Sequence, residues 1–259
     1  MTDSTSETSR EHPSEHRHEP PAPRREPVLN LPGSLVMVIL FMAAVFLLQS
    51  YVLSDKLTND IDFQFGFIPA RYVYPLFAGD YAWVWTPLTY SFLHGGVEHL
   101  VFNCLWLACF GTPVVRRIGT ARSVVFWITS SIAAAVVYAA LHWGEVQLVI
   151  GASGVISAFM GAACRFAFPP RMVVFSRRPV HAYPLLSVRQ VLTSRTATSF
   201  LILWLLGNVA VAFGLPLAGT TSAAIAWEAH IGGLLFGFFA FPLFDKPVLA
   251  ENPNSLTLD

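Results

Sequence analysis

The stretch Gly151-Ala152-Ser153-Gly154 sets a serine among small residues at the start of an apolar run, and Ala229-His230-Ile231-Gly232-Gly233 sets a histidine at the start of another. A serine hydroxyl is a weak nucleophile until a base within hydrogen-bond reach takes its proton. Neutral imidazole, which titrates close to physiological pH, suits that task. A third stretch runs from His94 through Glu98 and His99 to Asn103. His99 and Asn103 are four residues apart and so share one face of a helix. Attack on a carbonyl creates an oxyanion, for which His99, Asn103 and the Ser153 backbone N–H, unpaired at a helix start, are candidate donors. Taken alone, an asparagine in such a place more often makes a helix–helix hydrogen bond. No Asp falls inside an apolar run, and Glu228, two residues before His230, points to a different helix face. The expected unit is therefore a Ser153–His230 dyad without a third carboxylate.

The elements that must position these residues are apolar and long. The chain has 259 residues, 54% hydrophobic and only 12% charged. A soluble domain carries about twice that charged fraction. The class is an integral membrane protein, and a net charge of zero gives no argument for a nucleic-acid partner. Six apolar runs, at about 34–53, 95–112, 123–142, 151–168, 198–216 and 226–244, approach the ~20 residues that cross the hydrocarbon core. The fold class expected is all-α, a polytopic six-helix bundle over 34–245. Residues 1–33, rich in Pro, Glu, Ser, His and Arg, read as a disordered tail, and 246–259 as a short second tail. His16 and His18 are read as solvated tail residues rather than metal ligands. The start of the chain does not read as a signal peptide, because its apolar run comes late and lacks a small-residue cleavage site. Cys104, Cys109 and Cys164 all lie in apolar runs and read as free thiols.

Charge orients the bundle. Of the 16 Lys and Arg residues, only Lys56 and Arg71 fall on one face of the six-span arrangement, and the other 14 fall on the opposite face with both termini. The basic side is cytoplasmic by the positive-inside rule. The segment 54–93, rich in Phe, Tyr and Trp, then lies outside and is expected to rest partly in the outer leaflet. The second, fourth and sixth runs all travel inward, so His99, Ser153 and His230 begin their helices at similar depth. Ser153, Ser157 and Gly161 recur every fourth residue, as do Ala229, Gly233 and Gly237. Small-xxx-small faces let helix backbones approach closely in lipid, and packing these two faces would bring Ser153 to His230.

Taken together these residues resemble the rhomboid family of intramembrane serine proteases, over about residues 34–245. The family's G-x-S-G is matched by Gly151, Ser153 and Gly154, its H-x-x-x-x-H-x-x-x-N by His94, His99 and Asn103, and its A-H-x-x-G-x-x-x-G by Ala229, His230, Gly233 and Gly237. The resemblance implies Ser153 as nucleophile and His230 as base. It implies an oxyanion hole from His99, Asn103 and the Ser153 N–H, and supporting roles for His94, Gly151, Gly154 and Ser157. It further implies transmembrane-helix substrates cut near their outer ends, entry past a fifth helix that moves sideways, no cofactor and no metal, and a place in a bacterial plasma (inner) membrane. Two positions depart from the pattern. Trp85 is followed by Thr86 where the family often has arginine, so that arginine's contacts must be replaced or absent. Ser157 stands where some members carry an aromatic that packs on the base, so His230 must be oriented from elsewhere, with the Ser157 hydroxyl a candidate.

Three rival readings are weaker. The stretch from His94 to His99 is similar to the inverted zinc motif H-x-x-E-H but has one residue too many before Glu98. A catalytically inactive relative that binds and escorts membrane proteins would usually lack the serine or the histidine. A transporter would show paired Gly/Pro-broken segments in its two halves, which this chain does not.

Overall fold

Helix α1, Gly33–Tyr51, is apolar on every side, and only Leu35, Met42, Phe46 and Gln49 are buried. These four make one seam against the bundle, while Met37, Leu40 and Leu47 lie open on the outer side, the pattern of a helix whose surroundings are themselves apolar. The structure, a computed structural model, describes residues 30–73, 79–168, 179–213 and 226–245, and from Leu31 onward they belong to one compact unit. The two tails expected at 1–33 and 246–259 fall, but for residues 30–33, outside the described residues.

After α1 comes a segment of short elements: α2, Asp55–Phe65, 3-10 turns at Pro69–Tyr72 and Ala82–Val84, α3, Thr86–Thr89, and a 3-10 turn at Tyr90–Phe92. Several of its polar groups are paired within the fold, as a segment beside lipid favours. Gln49 donates to Asp62 at 2.8 Å, and Trp85 Nε1 donates to the Gln64 carbonyl at 3.0 Å. Arg71 pairs with Asp80 at 3.1 Å, both side chains almost fully enclosed, and donates to the Phe63 carbonyl at 2.7 Å. Thr86 is fully buried. The buried guanidinium of this segment is that of Arg71.

Helix α4, Val97–Trp106, passes through a π-turn at Leu107–Gly111 into α5, Thr112–Ile118. The three form one apolar rod from Val97 to Ile118, six residues beyond the end expected at 112. Pro113 lacks an N–H and would break a regular ladder; the wider π-turn before it absorbs the mismatch, and Arg116 and Arg117 finish the helix instead of opening a link. Helix α6, Thr120–Leu141, is also long and apolar enough to cross a membrane, as is α1. Helix α7, Ser153–Cys164, is shorter than the run 151–168, and every residue from Gly154 to Cys164 is buried. It is the central post of the bundle. It ends where Arg165 turns aside to donate to the carbonyls of Leu186 and Phe238. Helices α8, Val188–Thr193, α9, Arg195–Ala212, and α10, Trp227–Ala240, complete the fold. At the basic end Arg117 clamps Asp245 with two hydrogen bonds of 2.7 and 2.8 Å. Among the described residues the structure is all-α, with a single isolated β-bridge between Phe67 and Val149.

Candidate active site

Glycines fix how closely α7 and α10 lie. A Cβ on Gly233 would fall 2.8 Å from the Gly154 carbonyl carbon, and one on Gly237 would fall 2.7 Å from Ala158 Cα. Neither distance is possible for a real side chain, so the backbones touch as small-residue faces allow. The pairings Gly154–Gly233 and Ala158–Gly237 advance together, so the two helices run parallel. Their first turns therefore meet.

There His230 Nε2 lies 2.7 Å from Ser153 Oγ. The approach to Ser153 is set by Gly151, whose φ of +125° few side chains tolerate. Its N–H donates to the buried Tyr90 carbonyl at 2.9 Å. A Cβ there would also fall 2.7 Å from His99 Nε2, so the His99 ring lies directly against the turn that presents the serine. His94 packs edge-on to His99 with ring centroids 5.1 Å apart. Asn103 donates one amide hydrogen to the His99 carbonyl at 2.9 Å, which leaves its second hydrogen for another acceptor. Gly154 is wedged between α6 and α10, where a Cβ would lie 2.9 Å from that of Ala134. Among the described residues no three His, Cys, Asp or Glu side chains converge as a metal-ligand set.

A profile of the Rhomboid domain matches residues 81–246. The chain belongs to the rhomboid family. It is similar to the rhomboid protease GlpG of Yersinia pseudotuberculosis serotype I, 27% identical over 169 residues, covering 63% of this chain and 49% of that one. The GlpG of Photorhabdus laumondii is 26% identical over 200 residues, covering 71% and 60%. The chain thus spans about half the length of the first of these relatives.

One neighbour of this rhomboid site lies outside the three motifs. Asn208 of α9 places Oδ1 2.8 Å from His230 Nδ1, and its amide nitrogen donates to the Trp204 carbonyl at 2.9 Å. The Ser157 hydroxyl, a candidate for orienting the base, donates to the Ser153 carbonyl at 2.7 Å, and the Nδ1 of the ring faces Asn208. A lone asparagine in an apolar run carries no motif, and its helix is separated from His230 by a long link. The only available signal was its polarity inside a span. Glu228 turns away from His230, as its spacing required, and meets His142 at 3.1 Å, while Glu145 meets the same ring at 2.9 Å. Partial burial disfavours a charged His142, but hydrogen bonds and attraction from Glu228 and Glu145 outweigh this and raise its pKa above 6.5.

Proposed function

We propose that this chain is an intramembrane serine endopeptidase that cuts transmembrane helices of other membrane proteins near their outer ends. The observation that carries the reading is the 2.7 Å contact between His230 Nε2 and Ser153 Oγ at the touching first turns of two buried helices. In this reaction His230 Nε2 takes the hydroxyl proton as Ser153 Oγ bonds to the scissile carbonyl carbon. The oxyanion faces the Ser153 N–H, His99 and the free amide hydrogen of Asn103. The imidazolium then gives its proton to the departing amine. Water, deprotonated by the same ring, hydrolyses the acyl-enzyme and restores the serine. His94 supports the His99 ring edge-on.

The setting is six spans with both termini in the cytoplasm of a bacterial plasma membrane, which puts Ser153 in the outer half of the bilayer. This rests on the distribution of Lys and Arg and on three helices already long enough to cross. A catalytically inactive escort would have no need of a paired serine and histidine. The reading is tested with a model transmembrane substrate and purified protein. Ser153→Ala and His230→Ala should each abolish cleavage while the protein stays folded, and the double variant should be no worse than either, because the pair acts as a unit. A fluorophosphonate should label Ser153, and chelators should leave activity intact. Cleavage by purified Ser153→Ala protein would end the proposal.

A further inference from the structure

Resting on the protease reading, we infer that Asn208 is the positioning residue of the base: it selects the Nδ1–H tautomer of His230 and thereby makes catalysis depend on the seating of α9.

Some atoms around the ring can only give a hydrogen and others can only take one. The Trp204 carbonyl can only accept, so the amide nitrogen of Asn208 faces it, at 2.9 Å. The amide oxygen is then the atom left for the ring, and it stands 2.8 Å from His230 Nδ1. An amide oxygen cannot donate, so Nδ1 must carry the hydrogen. A neutral imidazole with hydrogen on Nδ1 has its lone pair on Nε2, which is the atom facing Ser153 Oγ. The relay from the Trp204 carbonyl through Asn208 and His230 to the serine therefore has one consistent set of hydrogens, and in that set the ring is a base. The opposite tautomer would place a lone pair against the Asn208 oxygen and a hydrogen against the serine oxygen.

Placement on the chain gives this relay its consequence. Ser153 and His230 sit on α7 and α10, which are locked together by backbone contact. Asn208 sits on α9, whose described side chains are mostly exposed: Ile202, Leu203, Leu205, Leu206 and Val209 all face outward. Ala197 and Asn208 are its buried residues among those described. With Leu201 and Trp204, half-buried between them, they form a stripe at spacings of 4, 3 and 4, the one face α9 gives to the bundle. A shift of α9 of about an ångström breaks the contact, since hydrogen bonds weaken steeply beyond ~3.2 Å. The nucleophile and base would remain together, but the ring would be free to take the unproductive tautomer. The base is thus competent when α9 is seated.

The test uses full-length protein in nanodiscs. Asn208→Leu removes the acceptor, and Asn208→Asp keeps one at the same reach. Leaving Nδ1–H without a partner in a buried site should lower kcat on the order of ten- to a hundredfold, with KM changed far less. The rate of Ser153 labelling by a fluorophosphonate should fall in parallel, and Asn208→Asp should recover much of both. Nitrogen-15 NMR of the histidine rings, with His230 assigned by its loss in His230→Gln, should show hydrogen on Nδ1 in the wild type and a growing Nε2–H share in Asn208→Leu. Hydrogen on Nε2 in the wild type would overturn the inference even if Asn208→Leu fails to fold. So would a folded Asn208→Leu protein with unchanged labelling and tautomer, or loss of activity in Asn208→Leu and Asn208→Asp alike with the tautomer unmoved. If the wild type itself is never labelled, the protease reading falls, and this inference with it.

Discussion

Substituting Gly233 by alanine tests whether backbone contact sets the catalytic distance. The new Cβ would begin 2.8 Å from the Gly154 carbonyl carbon and closer still to its oxygen. Relaxation to the ~3.5 Å at which carbon atoms attract requires α7 and α10 to part by at least roughly 0.7 Å at this level, and the nearer oxygen demands more. Gly233 lies one turn after His230, and Gly154 directly follows Ser153, so little leverage reduces the displacement before it reaches the dyad. The 2.7 Å contact between Nε2 and Oγ would open to about 3.4 Å or more, outside the range of a useful hydrogen bond. Misplacement on this scale costs about 10²-fold in rate, while overpacking costs about 1–3 kcal/mol of stability. Gly237→Ala makes a similar clash with Ala158 one turn farther from the dyad. It should lose comparable stability and less turnover. Gly207→Ala is the control, because nothing lies within 4 Å of its Cβ, and alanine gains up to about 1 kcal/mol of helix propensity. Turnover of a transmembrane substrate and thermal unfolding would be measured for all three. Wild-type turnover in folded Gly233→Ala protein would refute the argument that this contact sets the site.

Three further outcomes are expected. His99→Ala and Asn103→Ala should lower kcat by ~10²–10³ if each donates to the oxyanion, with KM and unfolding temperature little changed; lost thermal stability with near-native turnover would make the pair structural. A reporter fused after Asp259 should read cytoplasmic and one inserted near Asp80 external, and the reverse pattern would put Ser153 in the wrong half of the bilayer. Because Glu228 and Glu145 raise the pKa of His142 in the fold, this clamp stabilises fully below the unfolded value near 6.5 and is lost as pH rises through the higher folded value; stability should therefore fall as pH rises above 6.5, and a His142→Gln variant with the same slope would dismiss the clamp.

The parts of the site legible in the sequence were those whose physics is local or periodic. Small residues every fourth position on two runs foretold that α7 and α10 would touch, and the spacing of His99 and Asn103 foretold a shared face. The two residues before His230 were enough to turn Glu228 away from it. What was hidden depended on three-dimensional closure. Helix α5 continues past Pro113 only because a π-turn shifts the ladder. The enclosure of Arg71 depends on a fold of short turns that brings Phe63 and Asp80 around it. Asn208 announces nothing in the sequence, because one amide in an apolar helix has many possible partners and only packing selects His230.

The choice of an amide for that position follows from where the site lies. A carboxylate would fix the same tautomer and would stabilise the imidazolium more strongly. It would also have to be ionised among buried helices, where an unpaired charge costs several kcal/mol. The described surroundings of His230 contain no cation to balance it: Arg71 is committed to Asp80, and Arg117 and Arg165 are held at the basic end of the bundle. An amide oxygen carries no net charge and needs only a donor on one side and an acceptor on the other. The helix supplies the acceptor through the Trp204 carbonyl, and the histidine supplies the donor. In a site framed by lipid-facing helices, orientation can thus be obtained without burying a charge. Glu228, the carboxylate closest in sequence to His230, is instead left at the helix start to pair with His142.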